Sequence, residues 1–280
     1  MIELRGKAVA DAHKAILQEK VAAIGDSVIT MAVLLVGEDH GAHMYATFME
    51  KTAKNFGYGF VLKELPETAT QDEVVTALQE LNNDAAVHGI LPLMPMPKHI
   101  DTEQLIDALN PKKDIDGLTT YNIGLVTAGK GGFAPCTAKA CLAILDHYGI
   151  PLEGKHVVVV GRSQVIGKPV ALMVLERHAT VSICHSRTAD LANHVQQADI
   201  VIAAAGRANM ITANMVKAGA VVIDVGINEL DGKTVGDVDY EAVSTVASAI
   251  TPVPGGVGSV TTTMMLEAVY EAYHARNVNR

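Results

Sequence analysis

The stretch VVVVGRSQVIGKPVALMVLE, residues 157–176, reads as an apolar strand, a glycine-bearing turn and a helix. Four consecutive valines combine β-branched stiffness with the two-sided apolarity of a parallel strand covered on both faces. Gly161 closes the strand, and Gly167 with Pro169 opens the helix, where proline's missing amide is no loss. A turn of this kind aims backbone amides and the positive end of a helix dipole at a pyrophosphate. The spacing departs from G-x-G-x-x-G: the middle glycine is absent and the outer pair stands one residue further apart. Taken alone, the motif leaves a strand–turn–helix without any nucleotide as an open alternative.

The next strand candidate, TVSIC, shifts the balance. A site selective for NAD places Asp or Glu at the end of that strand to hold the ribose hydroxyls. Here the strand runs into His185, Ser186 and Arg187, with no carboxylate. A hydroxyl and a guanidinium at that point suit the additional phosphate of NADP, and Arg162 in the glycine turn is a second cation for it. NADP is therefore the expected cofactor.

The same alternation extends outward in both directions. Strand candidates fall at 30–36, 59–65, 89–93, 156–160, 180–184, 200–204 and 220–224. Helix-like segments fall between them, at 41–56, 70–82, 137–148, 169–177, 190–198 and 212–218, with a last helix near 260–275. This order predicts an α/β fold with right-handed crossovers. The turn-rich stretch 110–117 and the glycine-rich stretch 127–135 suggest two α/β domains with a cleft between them, the C-terminal one of Rossmann type. The division expected is 141–259 for the NADP-binding domain and 1–140 plus 260–280 for the other.

Composition bounds the function. The 280 residues are 49% hydrophobic and 19% charged, ordinary for a globular chain and too apolar for disorder. A formal net charge of −9 argues against a nucleic-acid surface. Cys136, Cys141 and Cys184 form no C-x-x-C pair, so neither a disulfide framework nor a metal site is expected. The charged start, MIELRGKAVADAHK, is unlike a signal peptide, and no apolar run reaches the roughly 20 residues of a membrane helix. These features predict a cytoplasmic location and no membrane partner.

Across its whole length the chain resembles the methylenetetrahydrofolate dehydrogenase/cyclohydrolase family. The resemblance rests on KDIDGL at 113–118, PCT at 135–137, VVVGRSQVIGKP at 158–169, ATVSICHSRT at 179–188, IDVGIN at 223–228, GDVDY at 236–240 and ITPVPGGVG at 250–258, all in the family's order. It implies a homodimeric enzyme that oxidises a folate-bound one-carbon unit with NADP, the first domain holding the folate. By position it implies a cofactor turn of Gly161, Arg162 and Ser163, a phosphate-side Ser186 and a cofactor-packing Ile227. It also implies a pterin-binding Asp116, a pterin-stacking Tyr45 and a folate-lining loop of Pro254, Gly255, Gly256, Val257 and Gly258.

Two departures stand where the family does its proton chemistry. The family carries a lysine four residues after the tyrosine, the main acid–base group of its cyclohydrolase step, and this chain has Met49. Residues four apart share a helix face, whereas Lys51 points elsewhere. The family's glutamine partner of that lysine is Leu93 here, within HGILPLMP at 88–95. Ala42 stands where a serine is usual, and Ser259 where a proline is. The resemblance thus implies an NADP-dependent methylenetetrahydrofolate dehydrogenase with weak or absent cyclohydrolase activity. The alternatives are a fully bifunctional enzyme with another base, His43 being the nearest, or a catalytically silent folate-binding paralogue.

Overall fold

The computed structural model describes residues 1–277. In chain order the elements are β1 Ile2–Glu3, α1 Gly6–Ala22, β2 Thr30–Val36, α2 His40–Asn55, β3 Gly59–Leu65, α3 Gln71–Asn83 and β4 Gly89–Pro92. There follow α4 Thr102–Asp107, α5 Thr120–Thr127, α6 Cys136–His147, β5 His156–Val160, α7 Gly167–Glu176, β6 Thr180–Cys184, α8 Leu191–Gln196 and β7 Ile200–Ala203. The chain ends with β8 Val221–Asp224, β9 Asn228–Leu230, β10 Lys233–Val235, α9 Tyr240–Val243, β11 Ala249–Ile250 and α10 Gly258–Asn277. Two compact units are formed. One comprises Met1–Lys14, Val126–Lys130 and Pro135–Met264, the other Ala15–Leu125, Gly131–Ala134 and the chain from Met265 onward.

The first of these units is built on a six-stranded sheet in the order β1-β11-β8-β7-β5-β6, every pairing parallel. The four valines ending β5 are buried, as expected for a strand covered on both faces. From β5 the chain crosses through α7 to β6 on one side and then returns to β7 on the other. That reversal is the switch point at which open α/β sheets bind ligands, at the carboxyl ends of the strands. Val158, Val160, Val201, Ala203, Val222 and Ile250 form the core there, so a chain poor in aromatics packs on branched aliphatics.

The other unit carries a parallel three-stranded sheet, β3-β2-β4. β2, its central strand, is buried from Met31 to Val36. Helix α2 begins at an Asp39 cap whose carboxylate accepts the Ala42 amide at 2.8 Å. A Thr70–Glu73 capping box starts α3, and Leu34, Val74, Leu78, Ile90 and Leu105 pack between sheet and helices.

All seven strand candidates are present, and so is every helix candidate but one, with helix ends shifted by one or two residues. The expected helix at 212–218 is instead a single 3-10 turn, Ala213–Met215. Thr212 bonds Asn214 side chain to side chain, and Gly219 soon ends any helical run, so one turn is all the segment sustains. The structure adds α1, α4, α5, α9, the β9–β10 hairpin and the two-residue strands β1 and β11.

Lys113 has an unusual setting in this second unit. Its buried ammonium donates to the Leu81 and Asp84 carbonyls at 2.9 and 2.7 Å, capping the carboxyl end of α3. Burial, and then the Arg276 charge, bring its pKa down to about 8. Above that pH the folded chain has released a proton that the unfolded chain still holds up to its ordinary lysine value, so this group makes stability rise with pH. Urea unfolding at pH 7.5 and 9.5 should show a gain in the parent protein that Lys113→Met lacks. Equal pH dependence in the two proteins would refute the assignment.

Candidate functional site

The glycine turn after β5 has the geometry its sequence implies. Gly161 has φ +137°, and a Cβ there would collide with the Ala204 carbonyl at the end of β7. A Cβ on Gly167 would collide with the Gly161 carbonyl, so the first turn of α7 closes directly onto the strand end. The Ser163 hydroxyl accepts the Ile166 and Gly167 amides at 3.2 and 3.3 Å, which shapes the turn from within. Arg162 and Ser163 are exposed, as are Ser186 and Arg187 after the neighbouring strand β6. The latter pair sits in a loop tied by the Thr188 hydroxyl to the His185 amide, 2.8 Å, and by His185 Nδ1 to the Arg187 amide, 3.1 Å. Two guanidiniums and a hydroxyl thus stand on adjacent strand ends with no carboxylate among them, a donor set that fits a phosphorylated ribose.

Beyond β8 the backbone is held by two buried carboxylates. Asp224 accepts the amides of Gly226, Asp237 and Val238, each at 3.0 Å. Burial nevertheless pushes its carboxyl up to about 6, against the pull of those bonds. Asp237, fully buried, accepts four N–H groups: Ala205 at 2.6 Å, Gly206 at 2.9 Å, Arg207 at 2.7 Å and the Asn228 side chain at 2.9 Å. Between these anchors Ile227 stands 71% exposed, a large apolar side chain on a braced turn.

The loop from Pro254 to Gly258 leads into α10, whose residues up to Met264 belong to the same unit. The Gly255 carbonyl accepts the Gly6 amide at 2.8 Å, and a Cβ on Gly6 would meet the Gly256 carbonyl, so the start of α1 lies flat on the loop. Gly256 and Val257 are buried, while Pro254, Gly255 and Gly258 present open backbone. A depression of about 310 Å³ bordered by Lys155, Asp199 and Lys217 opens at the amino ends of β5, β7 and β8, away from these groups.

In the other unit, α2 places Tyr45 half-buried, its hydroxyl donating to the Met265 sulfur at 3.3 Å. One turn on, Met49 is completely buried, and Leu93, just past β4, is 6% exposed. Neither side chain offers a strong hydrogen-bonding or titrating group. His43 is already engaged: its Nε2 lies 3.1 Å from the Gly37 carbonyl, with Glu64 3.9 Å from Nδ1. Lys51 is exposed.

Asp116 is half-buried on a turn whose order comes from Asp114. The Asp114 carboxylate, buried completely, accepts the Leu118 amide, the Thr119 amide and hydroxyl, and the Asn122 side chain at 2.7–2.9 Å. Asn122 also donates to the Pro111 carbonyl, at 2.9 Å. The motifs 113–118 and 236–240 contain Asp114 and Asp237, but sequence reasoning gave neither a role. Two aspartates within three residues was the available signal in each, DID and DVD.

Comparison with known proteins covers nearly the whole chain. Residues 4–116 match the family model described as tetrahydrofolate dehydrogenase/cyclohydrolase, catalytic domain, and residues 135–277 its NAD(P)-binding domain. The chain is 47% identical over 273 residues to the bifunctional protein FolD of Exiguobacterium sibiricum, covering 97% of this chain and 99% of that protein. Among solved structures it is similar to the bifunctional FolD of Campylobacter jejuni, at 41% identity and TM-score 0.95, with 99% of each chain covered. It is also similar to FolD of Trypanosoma brucei complexed with NADP cofactor and inhibitor, at 33% identity and TM-score 0.93, covering 100% of this chain and 99% of that one.

The four bonds at Asp114 carry a prediction independent of any ligand. Asp114→Asn keeps one acceptor oxygen and turns an amide toward the donors of the turn. Unfolding free energy should fall by about 1–3 kcal/mol. Hydrogen-exchange protection of the Leu118 and Thr119 amides should fall with it. Retained protection at both amides would show that the carboxylate does not order the turn.

Proposed function

The chain belongs to the tetrahydrofolate dehydrogenase/cyclohydrolase family, and on that premise we propose that it oxidises methylenetetrahydrofolate with little or no hydrolysis of the methenyl product. It is an NADP-dependent methylenetetrahydrofolate dehydrogenase of one-carbon metabolism. Bound NADP would supply the hydride acceptor for oxidation of the one-carbon bridge to the methenyl level. Gly161 and the α7 turn give the pyrophosphate close backbone approach, Arg162, Ser186 and Arg187 face the ribose phosphate, and Ile227 supplies apolar surface. Tyr45 stacks on the pterin, Asp116 accepts from its amino and amide groups, and Pro254–Gly258 lines the folate with bare backbone. The enzyme acts as a homodimer in this reading.

One observation carries the loss of hydrolysis: Met49 and Leu93 are buried where the resemblance puts a lysine and a glutamine. Hydride transfer depends chiefly on aligning two carbons, and an apolar wall can serve that. Opening the methenyl bridge needs a water oriented on the bridging carbon and a proton delivered to a ring nitrogen. General acid–base help in such a step is worth about 100- to 10,000-fold. The bifunctional names of the relatives favour a second reading, in which hydrolysis survives through another base. His43, held at the Gly37 carbonyl beside Glu64, is badly placed for that work.

NADP should be preferred over NAD, and Arg162→Ala should raise the NADP KM about tenfold, the worth of one charge-assisted contact. NAD, lacking the phosphate, should respond much less. Better turnover with NAD, or unchanged NADP affinity in the variant, would defeat this assignment.

Methenyltetrahydrofolate decay followed by absorbance, corrected for the spontaneous reaction, tests the main proposal. The unmodified protein should add little to the background while reducing NADP normally. Met49→Lys alone should recover little, because an amine against Leu93 is desolvated and unsupported. Met49→Lys with Leu93→Gln should recover more than the sum of the two single changes. Hydrolysis by the parent as fast as its dehydrogenase would overturn the proposal.

A further inference from the structure

We propose that Asp237 is a positioning residue for the NADP site, its buried carboxylate locking the loop after β7 to the turn that carries Ile227. The inference rests on the assignment of NADP to the Gly161 turn. Its basis is the connectivity of the hydrogen bonds. Three of the four donors to Asp237 are the backbone amides of Ala205, Gly206 and Arg207, which leave the end of β7. The fourth is the side chain of Asn228, the residue after Ile227. One carboxylate therefore joins two loops that emerge from adjacent strands, β7 and β8, at their carboxyl ends.

The joint is itself seated. Asp224, the last residue of β8, accepts the Asp237 and Val238 amides, which fixes where the Asp237 backbone lies. The β9–β10 hairpin brings the chain back so that Gly236 and Asp237 pass beside Asp224 and Gly226. There is no room for side chains at that crossing: a Cβ on Gly226 would collide with Asp237, and one on Gly236 with the Asp224 carboxylate. Backbone amides are the donors to both aspartates, apart from the Asn228 side chain on Asp237.

Displacement of the joint has a direct route to the cofactor turn. Ala204 precedes the three gripped amides, and its carbonyl lies where any Cβ on Gly161 would stand. Its amide also donates to the Val160 carbonyl at 2.8 Å, the residue before Gly161. Loosening residues 205–207 therefore loosens the floor on which Gly161 and Arg162 sit. On the other side, release of the Asn228 side chain loosens the turn carrying Ile227, an exposed apolar side chain whose direction depends on that turn. An amide in place of the carboxylate cannot accept four N–H groups, and its own NH2 would oppose those of the loop.

The test is NADP binding and steady-state kinetics in two variants of the full-length protein, with thermal unfolding of each. Asp237→Asn should raise the NADP dissociation constant about tenfold or more. Asn228→Ala, which removes one donor and leaves the three amides, should raise it about three- to fivefold with Tm near that of the parent. The KM for methylenetetrahydrofolate should stay within about twofold in both, a split that general destabilisation would not produce. Asn228→Asp, placing a second carboxylate against Asp237, should be worse than Asn228→Ala. NADP affinity unchanged in folded Asn228→Ala overturns the inference even if Asp237→Asn does not fold, and so does equal weakening of both ligands. If Arg162→Ala weakens NADP while the Asp237 and Asn228 variants do not, the positioning role fails and the NADP site stands. If none of them responds, both fail.

Discussion

A buried carboxylate surrounded by backbone amides is the constraint on which both candidate ligand surfaces depend. Loops at the carboxyl ends of parallel strands have no ladder to satisfy their amides, and an unpaired buried amide costs about 1–3 kcal/mol. The chain meets this need three times with aspartate. Asp114 takes four donors around the turn of Asp116, Asp237 takes four around Ile227, and Asp224 takes three beneath them. Carboxylate oxygens suit the task because each accepts two bonds and donates none. The cost is a charge removed from water, visible in the raised pKa of Asp224. Rigid loops are what the charge secures, and rigid loops are what a hydride transfer needs.

The same reasoning explains why the proposed absence of an acid–base lysine is compatible with a dehydrogenase. Orientation and proton delivery are separate contributions to catalysis, the first residing in loops and glycines, the second in one or two titrating side chains. This chain has the glycines, the aspartate hubs and the exposed cations, and has the buried apolar side chains of Met49 and Leu93 where the proposal puts the proton chemistry. Met49 is completely buried, so it fills space and leaves no hole. A buried lysine would need a partner to stay charged, so the proposed replacement of a lysine together with its glutamine is a coherent change.

Much of this architecture was legible in the sequence, and what was not has physical reasons. Continuous β-branched runs such as 156–160 and 200–203 give both strand and burial, because only a parallel sheet accepts apolar side chains on both faces. Helix α1 escaped because its stretch, rich in Ala and Lys, has a narrow apolar stripe of Val9, Ala10 and Leu17 rather than a broad face. The strands β1 and β11 are two residues each, too short for any periodicity. Segment 212–218 has apolar spacing but its Thr-x-Asn start and Gly219 limit it to one turn. For the site, the resemblance proposes roles for Tyr45, Asp116 and Arg162 from sequence position alone. Asp114 and Asp237 lay in the same motifs, yet their roles depend on how many amides converge on them, which only the folded backbone reveals.

Strand β1 shows how far such convergence can reach along the chain. Ile2 and Glu3 pair with Ala249 and Ile250, so the edge of the large sheet joins the first residues to residues almost 250 positions later. Gly6 then lies on Gly255 and Gly256 without room for a side chain, and Tyr240 donates to Glu3 at 3.1 Å. Closing so long a loop costs more entropy than a local turn, though only logarithmically with length. The return is that the Pro254–Gly258 loop, which has little side-chain packing of its own, is held from below by the amino terminus. A loop made largely of glycine backbone cannot brace itself with side chains, so its order has to come from backbone contacts supplied by distant chain.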